Sequence, residues 1–112
     1  MNKRKRGYQA ENIAKQYFIK QGYKILHQNY TIRGGELDII AEKGNNRIFI
    51  EVKEVEQTND LHNYISPRKL QTIYKTIQFF NHEYTTDKQL RIDLVFIKEN
   101  NILYHYENIS NN

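Results

Sequence analysis

Acidic and basic side chains recur two residues apart in two neighbouring segments of the sequence. Glu36 and Asp38 lie in the first segment, and Glu51 and Lys53 lie in the second. Side chains two residues apart share one face of a strand. If the segments pair as a hairpin, Asp38 lies opposite Glu51, and Glu36 lies opposite Lys53. Opposed carboxylates repel unless positive charge lies between them, so the pattern predicts a site that needs a cation.

A divalent cation would complete this acidic pair. Mg²⁺ takes oxygen ligands, commonly one or two carboxylates together with water and substrate phosphate. Lys53 would share the face of Glu51, where its ammonium group could steady an attacking water or a phosphate. An Asp followed by Glu-x-Lys on the next strand therefore predicts a metal-dependent phosphodiesterase site. The alternative is an ordinary charged strand face, in which Glu36 and Lys53 form a cross-strand ion pair.

The hairpin itself is predicted from two apolar runs, at residues 37–41 and 48–52, that flank a turn at residues 43–46. Gly and Asn in that turn tolerate positive φ. A loop of two or four residues centred between Gly44 and Asn45 pairs Asp38 with Glu51, whereas a three-residue loop would offset these partners. The same register predicts one wholly apolar face, made of Leu37, Ile39, Ala41, Ile48, Ile50 and Val52.

Helices are predicted on either side of a run of strands. Residues 8–21 carry an apolar stripe at helical spacing, and Gly22 follows as a C-cap. Ser66 and Pro67 form an N-cap and first turn for a second helix that ends near residue 82. Strands are predicted at residues 23–30, 90–97 and 102–106, and the first three strands of the chain should form a meander. The order α-β-β-β-α-β-β predicts an α/β domain around a mixed α+β sheet.

Four further charged residues, on the helices and a later strand, are candidates for a functional or structural role. Glu11 lies at the border of the first helix's apolar stripe, from which a carboxylate could reach over the sheet edge or stay solvated. Arg68 and Lys69 add positive charge to a helix N-terminus, which favours a phosphate contact, with a solvated basic face as the alternative. Asp93 interrupts an apolar strand and shares a face with Arg91, which favours a buried structural role.

Composition narrows the function classes. We predict a single domain over residues 1–112, in which residues 1–6 form a basic tail and residues 107–112 are frayed. The chain has no Cys, which excludes disulfides, thiolate zinc sites and thiol nucleophiles. No apolar run approaches the roughly 18 residues of a membrane span, and no apolar segment follows the basic start. We therefore expect a cytoplasmic protein without a membrane partner. The net charge of +4 is compatible with attraction to phosphate backbones or with a solubilising tail.

Five short motifs resemble, in order, those of the bacterial YraN family, and the resemblance covers about residues 6–97. The YraN family is similar to Holliday-junction resolvases and restriction endonucleases of the PD-(D/E)XK superfamily. The resemblance therefore implies a restriction-endonuclease-like core. The motifs are Glu11 with Ala14, Gly35-Glu36-Leu37-Asp38-Ile39-Ile40, Phe49-Ile50-Glu51-Val52-Lys53, Ser66-Pro67-Arg68-Lys69 and Arg91-Ile92-Asp93-Leu94-Val95.

The resemblance also implies roles at matching positions. Asp38 and Glu51 match the superfamily's metal-binding acids, and Glu11 matches the first-helix Glu that often completes the site. Lys53 matches the catalytic Lys, and Lys69 matches a basic residue of the second helix that faces the site. The implied cofactor is Mg²⁺ or Mn²⁺.

The resulting prediction is a metal-dependent endonuclease-like protein that hydrolyses phosphodiesters of DNA, including branched or structured DNA. DNA is preferred to RNA as the partner, and a resolvase-like task calls for a homodimer. The alternative is a catalytically inactive nucleic-acid-binding module with the same fold, favoured because Glu54 and Val55 stand where the family usually has a small polar residue and Arg. A protein-interaction role is a third option. The predicted nucleic-acid contacts are Lys5, Arg6, Arg68 and Lys69, and Glu36 is an additional site candidate.

Overall fold

The structure is a computed structural model that describes residues 3–56 and 65–109, with side chains described from residue 8 onward within these ranges. The order of elements is the predicted one, with two helices and five strands. The main boundary error concerns the first helix, which begins five residues before the predicted start because Lys and Arg are good helix formers. The elements are α1 (Lys3–Lys20), β1 (Lys24–Ile32), β2 (Gly35–Lys43), β3 (Asn46–Glu54), α2 (Pro67–Glu83), β4 (Gln89–Lys98) and β5 (Asn101–Tyr106).

The early start of α1 corrects the predicted basic tail. Lys5 and Arg6 belong to the helix, so only Met1 and Asn2 of the predicted tail lie outside the described residues. The side chains of Lys5 and Arg6 fall outside the described part, and their nucleic-acid contacts remain predictions. Neither described helix is long and apolar enough to cross a membrane.

The five strands form one mixed sheet in the order β1-β2-β3-β4-β5. The first three strands are antiparallel, as a meander requires. β4 runs parallel to β3, and β5 runs antiparallel to β4. A parallel neighbour needs a crossover connection, and the segment that contains α2 provides it. The mixed sheet predicted from the order of elements is therefore confirmed.

The β2–β3 hairpin has the predicted register over its paired part. Gly44 and Asn45 form a two-residue turn, and Gly44 has a φ of 59°, the left-handed conformation that glycine adopts readily. Glu42 pairs with Arg47, and pairing continues to Ile39 and Ile50, where the regular ladder ends. The predicted Asp38–Glu51 and Glu36–Lys53 pairs lie beyond that last rung.

Each helix covers one face of the sheet. α1 packs Ala10, Ala14 and Phe18 against a cluster that we call the α1-side core. α2 packs Ile73, Ile77 and Phe80 against the α2-side core. The strand residues of the α1-side core include Ile39, Ala41, Ile48 and Ile50, and those of the α2-side core include Leu37, Ile40 and Phe49.

The prediction that Leu37 shares the face of Ile39 is wrong. Leu37 is fully buried in the α2-side core, whereas Ile39 lies in the α1-side core. A Cβ atom at Gly35 would collide with the Thr76 hydroxyl of α2, so the glycine lets helix and strand approach closely there. Strand alternation therefore breaks between Leu37 and Ile39, at Asp38.

The predicted fraying of residues 107–112 is wrong for residues 107–109. The Asn108 amide N–H donates to the Asp93 carboxylate at 3.0 Å, and the Ile109 amide N–H donates to the Ile92 carbonyl at 2.8 Å. Ile109 also packs against the α2-side core. Residues 110–112 lie outside the described residues.

Candidate active site

Asp38 lies where β2 and β3 separate. Beyond the last rung of the ladder, the backbone N–H of Val52 donates to Oδ2 of Asp38 at 2.8 Å, so a side chain takes the place of a backbone acceptor. The Asp38 carboxyl group also forms a side-chain hydrogen bond with Glu51. The two acids that the hairpin register predicted to be neighbours are thus in contact, although their backbones are not regular partners.

Burial makes ionisation of this carboxyl pair unfavourable. Glu51 is only 3% exposed, and burial together with the charge of Asp38 raises its pKa to about 7. Burial also raises the pKa of Asp38, although the hydrogen bonds from Val52 and Glu51 oppose the shift. The raised pKa of both acids shows that burial disfavours the fully ionised pair.

Two lysines supply positive charge to the pair. Nζ of Lys69, on the first turn of α2, lies 3.2 Å from Oε2 of Glu51. Lys53 is half-buried, and its charge lowers the pKa of both Asp38 and Glu51. The pKa of each acid nevertheless stays raised, because the effect of burial exceeds that of the lysines. The structure thus brings Asp38, Glu51, Lys53 and Lys69 together and leaves the acids incompletely compensated.

Glu11 joins the acids from the opposite face of the sheet. Burial and the charges of Asp38 and Glu36 raise its pKa to about 7, while a side-chain hydrogen bond with Asn29 lowers it. Its Oε1 atom is buried and has no hydrogen-bond partner among the described residues. Because β2 and β3 separate at Asp38, that aspartate can interact with acids on both faces. The prediction that Glu11 approaches the site is therefore consistent with the electrostatics.

The donor set suits a hard divalent cation, which binds carboxylate oxygens. Burial raises the pKa of Asp38 and Glu51, and a bound cation would favour their ionised forms. Glu11 carries a buried oxygen without a partner in the described part. Across residues 3–56 and 65–109, no three side chains of His, Cys, Asp and Glu are gathered closely enough to hold a metal ion. Asp38 and Glu51 are therefore the two carboxylates available to a cation there, and Glu11 is coupled to Asp38 only by charge.

The remaining predicted residues lie around this centre. Glu36 is exposed and acts through its charge on Asp38 and Glu11. Arg68 is exposed at the start of α2, where the Lys69 amide N–H donates to Oγ of Ser66 at 3.1 Å. This N-cap confirms the predicted helix start. Nucleic-acid contacts by Arg68 and Lys69 remain predictions.

Asn29 is a site residue that the sequence reasoning missed. It lies within β1, opposite Asp38, and has a φ of 52°. The strand pattern predicted ordinary extended backbone there. The available signal was the residue type, since Asn adopts left-handed backbone more readily than most residues.

Asp93 belongs to a separate, structural cluster, as predicted. It is fully buried and accepts two hydrogen bonds of 2.9 Å from Arg91, and one of its oxygens lies 2.7 Å from Nε2 of His105. The Asn108 amide N–H adds a further hydrogen bond. Burial alone would raise the pKa of Asp93, but these partners outweigh burial and lower it.

Val55 occupies the position at which the YraN-like pattern usually has Arg. It is buried with Leu94 and Phe96, and its amide N–H donates to the Ile97 carbonyl at 2.8 Å. An apolar side chain there extends the core and supplies no donor to a phosphate. The predicted loss of one phosphate contact is compatible with this packing.

Comparisons with known proteins place these residues within one matched segment. The sequence model of the uncharacterised protein family UPF0102 matches residues 10–97. UPF0102 proteins from Sulfurihydrogenibium, Carboxydothermus hydrogenoformans and Campylobacter fetus are 39%, 36% and 34% identical to this chain. The alignments cover 96%, 97% and 93% of this chain and 96%, 98% and 92% of those proteins.

Proposed function

This chain belongs to the uncharacterised protein family UPF0102, the YraN family that its motifs predicted, and we propose that it is a metal-dependent, endonuclease-like protein. Its substrates would be phosphodiesters of DNA, including branched or structured DNA. The family name assigns no activity, so the proposal depends on the chemistry of the site. The observation that carries it is the Asp38–Glu51 pair, in which Glu51 is buried and Asp38 half-buried, beside Lys53 and Lys69.

The pair supports a cation site because its negative charge is buried without sufficient compensation. Buried charges are normally paired or bound to metals, because leaving them unpaired is costly. Asp38 and Glu51 would hold Mg²⁺ or Mn²⁺. When bound, such a cation lowers the pKa of water and stabilises negative charge on phosphate oxygens.

The lysines support an anionic substrate. A site of carboxylates alone would repel a phosphodiester, whereas ammonium groups at the same place attract it. Lys53 is half-buried and close enough to Asp38 and Glu51 to affect the pKa of both. Its ammonium group can donate to a phosphate oxygen or orient an attacking water, and such donors stabilise developing negative charge. Lys69 holds Glu51 in place and adds positive charge at the mouth of the site.

DNA cleavage in the presence of Mg²⁺ or Mn²⁺ tests the proposal. The substrates are a four-way junction, single-stranded DNA, duplex DNA and an RNA of matched sequence. We expect the wild-type protein to cleave DNA, and Glu51→Gln and Lys53→Met each to lower the rate by about 100-fold or more, the effect typical of losing a group that stabilises transition-state charge. Glu83→Gln and Lys20→Met are matched controls, because both residues are exposed and lie outside the site. The controls should retain wild-type rates.

Two outcomes would overturn the assignment. Wild-type rates in both Glu51→Gln and Lys53→Met would show that the cleavage centre lies elsewhere. Salt-sensitive DNA binding without Mn²⁺ affinity and without cleavage would instead identify the catalytically inactive binding module. Isothermal titration with Mn²⁺, on the same preparations, separates these two cases.

A further inference from the structure

One side of α2 carries basic side chains together with an aromatic one. Residues at alternating spacings of four and three share one side of a helix. We call the residues of this side the α2 stripe: Arg68, Thr72, Lys75, Phe79 and His82. All of them are exposed except Thr72, which is half-buried. α2 has no acidic residue before Glu83, its last residue, so the α2 stripe is positively charged over most of its length.

The α2 stripe starts beside the Asp38–Glu51 pair and passes the turn between β1 and β2. At the first turn of α2, Nζ of Lys69 lies 3.2 Å from Oε2 of Glu51. Further along the helix, Nζ of Lys75 lies next to the β1–β2 turn, since a Cβ atom at Gly34 would be 3.5 Å from it. The same turn contains Arg33, which is exposed. Basic residues therefore continue from the proposed cation site along one flank of α2.

The protein itself does not use these charges or the aromatic ring. Within residues 3–56 and 65–109, no ion pair involves Arg33, Arg68 or Lys75. Phe79 is 54% exposed and contacts no other aromatic ring in the described part of the chain. By contrast, the exposed ring of Tyr84 lies against Phe80. The α2 stripe thus presents positive charges and an open aromatic face to a ligand.

A single-stranded nucleic acid matches this combination. Proteins that bind single strands place basic side chains along the phosphate backbone and stack bases on aromatic side chains. Bases in a duplex are stacked on one another, so Phe79 can contact the face of a base only where a strand is unpaired. From Lys69 to Phe79, α2 rises by about 15 Å. At roughly 3.4 Å per nucleotide along a strand, this rise corresponds to about four nucleotides.

We propose that the α2 stripe binds an unpaired segment of DNA, in which Arg68 and Lys75 contact phosphates and Phe79 stacks on a base. This inference rests on the proposed function, because the choice of DNA comes from the phosphodiesterase site beside Lys69. It narrows the substrate to DNA that has an unpaired strand near the phosphodiester bound at the Asp38–Glu51 pair. The stacked base lies about four nucleotides from that phosphodiester.

DNA binding in EDTA tests the inference without measuring catalysis. The full chain is titrated into fluorescently labelled single-stranded DNA and into a duplex of the same sequence, and anisotropy provides each affinity. We expect Phe79→Ala to weaken single-strand binding by about 5-fold or more and to leave duplex binding unchanged, because one base loses its stacking partner. Lys75→Met should weaken single-strand binding and lower the slope of log affinity against log salt by about 0.7, whereas Phe79→Ala should keep that slope.

The chain offers a matched control for each variant. Tyr74 is 42% exposed on the same helix but lies about 140° around the helix axis from Phe79, so Tyr74→Ala should bind both DNAs as the wild type does. Lys20→Met is the control for Lys75→Met, since Lys20 is an exposed residue at the end of α1. Thermal unfolding of every variant checks that the fold is retained.

The outcomes separate this inference from the function beneath it. Wild-type single-strand affinity in Phe79→Ala would overturn the stacking role, and Mn²⁺-dependent cleavage by the wild type would still support the proposed function. If Phe79→Ala left DNA binding unchanged but dissociated a dimer in sedimentation, the α2 stripe would be an interface between copies of this chain. Single-strand binding that depends on Phe79, in a protein that neither cleaves DNA nor binds Mn²⁺, would support the α2 stripe and overturn the proposed function.

Discussion

Two buried acids, Asp93 and Glu51, lie on neighbouring strands of the same sheet, and their pKa values shift in opposite directions. Asp93 on β4 pairs in register with Ile50 on β3, and Glu51 is the next residue along β3, on the opposite face. The pKa of Asp93 is lowered, because Arg91, His105 and a backbone N–H outweigh the effect of burial. The pKa of Glu51 is raised to about 7, because burial and a second acid outweigh two lysines.

Asp93 and Glu51 are both buried, and they differ in how fully neighbouring positive charges and hydrogen-bond donors compensate their negative charge. Asp93 accepts a two-pronged hydrogen bond from a guanidinium group that is itself held by the Tyr23 hydroxyl at 2.7 Å. This arrangement is complete without a ligand. In the Asp38–Glu51 pair the pKa of both acids stays raised, because Lys53 and Lys69 offset burial only in part. Buried acids that lack enough neighbouring positive charge indicate a functional site, whereas buried acids with full charge compensation indicate a structural role.

The largest expected effect on stability concerns Asp93, the acid whose charge is compensated. Asp93→Asn should lower the free energy of unfolding by about 3–5 kcal/mol, because it leaves a largely buried guanidinium without its carboxylate. Urea denaturation measures the change. Glu107→Gln is the control, since Glu107 is an exposed acid 3.9 Å from the same Arg91, and its removal should leave stability unchanged. If Asp93→Asn were as stable as the wild type, the structural role of the Asp93 cluster would be wrong.

The second prediction concerns Glu51, whose charge is compensated only in part. Glu51→Gln should not destabilise the cation-free protein at pH 8, because it removes repulsion with Asp38 and leaves Lys69, whose side chain is 35% exposed, free to be solvated. Mn²⁺ at 100 times its dissociation constant should stabilise the wild type by about 2.7 kcal/mol, and Glu51→Gln should lose this gain. Thermal unfolding with and without Mn²⁺ provides both values. A loss in Glu51→Gln as large as that in Asp93→Asn would show that both clusters are structural.

The third prediction is that stability depends on pH, because the pKa values of Glu11 and Glu51 are raised and the pKa of Asp93 is lowered. Glu11 and Glu51 have pKa values of about 7 in the folded chain, against 4.5 ordinarily, so the folded state binds more protons between these values. Stability of the cation-free protein should therefore fall as pH rises from about 4.5 to 7. The contribution of Asp93 has the opposite sign: it is present above the ordinary pKa of 3.8 and is lost as pH falls through the lowered folded value.

Urea denaturation in EDTA across this pH range checks both signs. Glu51→Gln should flatten the decline between pH 4.5 and 7, whereas Glu83→Gln, at an exposed position, should leave it intact. Stability that rises across this window in the wild type would contradict the raised pKa values of the acidic site.

The smallest expected effect concerns Lys69. Its ammonium group compensates Glu51 only in part, so Lys69→Met should lower the free energy of unfolding at pH 8 by less than about 1 kcal/mol, as for partly exposed ion pairs. The same variant should raise the pKa of Glu51 further. A loss of several kcal/mol would mean that Lys69 completes the site as Arg91 completes the Asp93 cluster.

The sequence by itself determined the elements whose causes are local. Ser66 and Pro67 mark the start of α2, and Gly44 with Asn45 marks the turn that sets the hairpin register. That register predicted Asp38 and Glu51 as neighbours, and the two acids do lie together, although the regular pairing ends one residue before them. The spacing of two residues also predicted the shared face of Arg91 and Asp93, which lie in a stretch of β4 that pairs regularly with β3.

Only the tertiary structure decided which local rules are broken and where distant groups meet. Leu37 packs against α2 and not with Ile39, and α2 also approaches Gly35 closely; the strand pattern does not contain the position of that helix. The interaction of Glu11 with Asp38 and the ion pair of Lys69 with Glu51 each join a helix to a strand. Such contacts depend on how the helices pack on the two faces of the sheet. Packing of this kind is a property of the assembled chain and of no single segment.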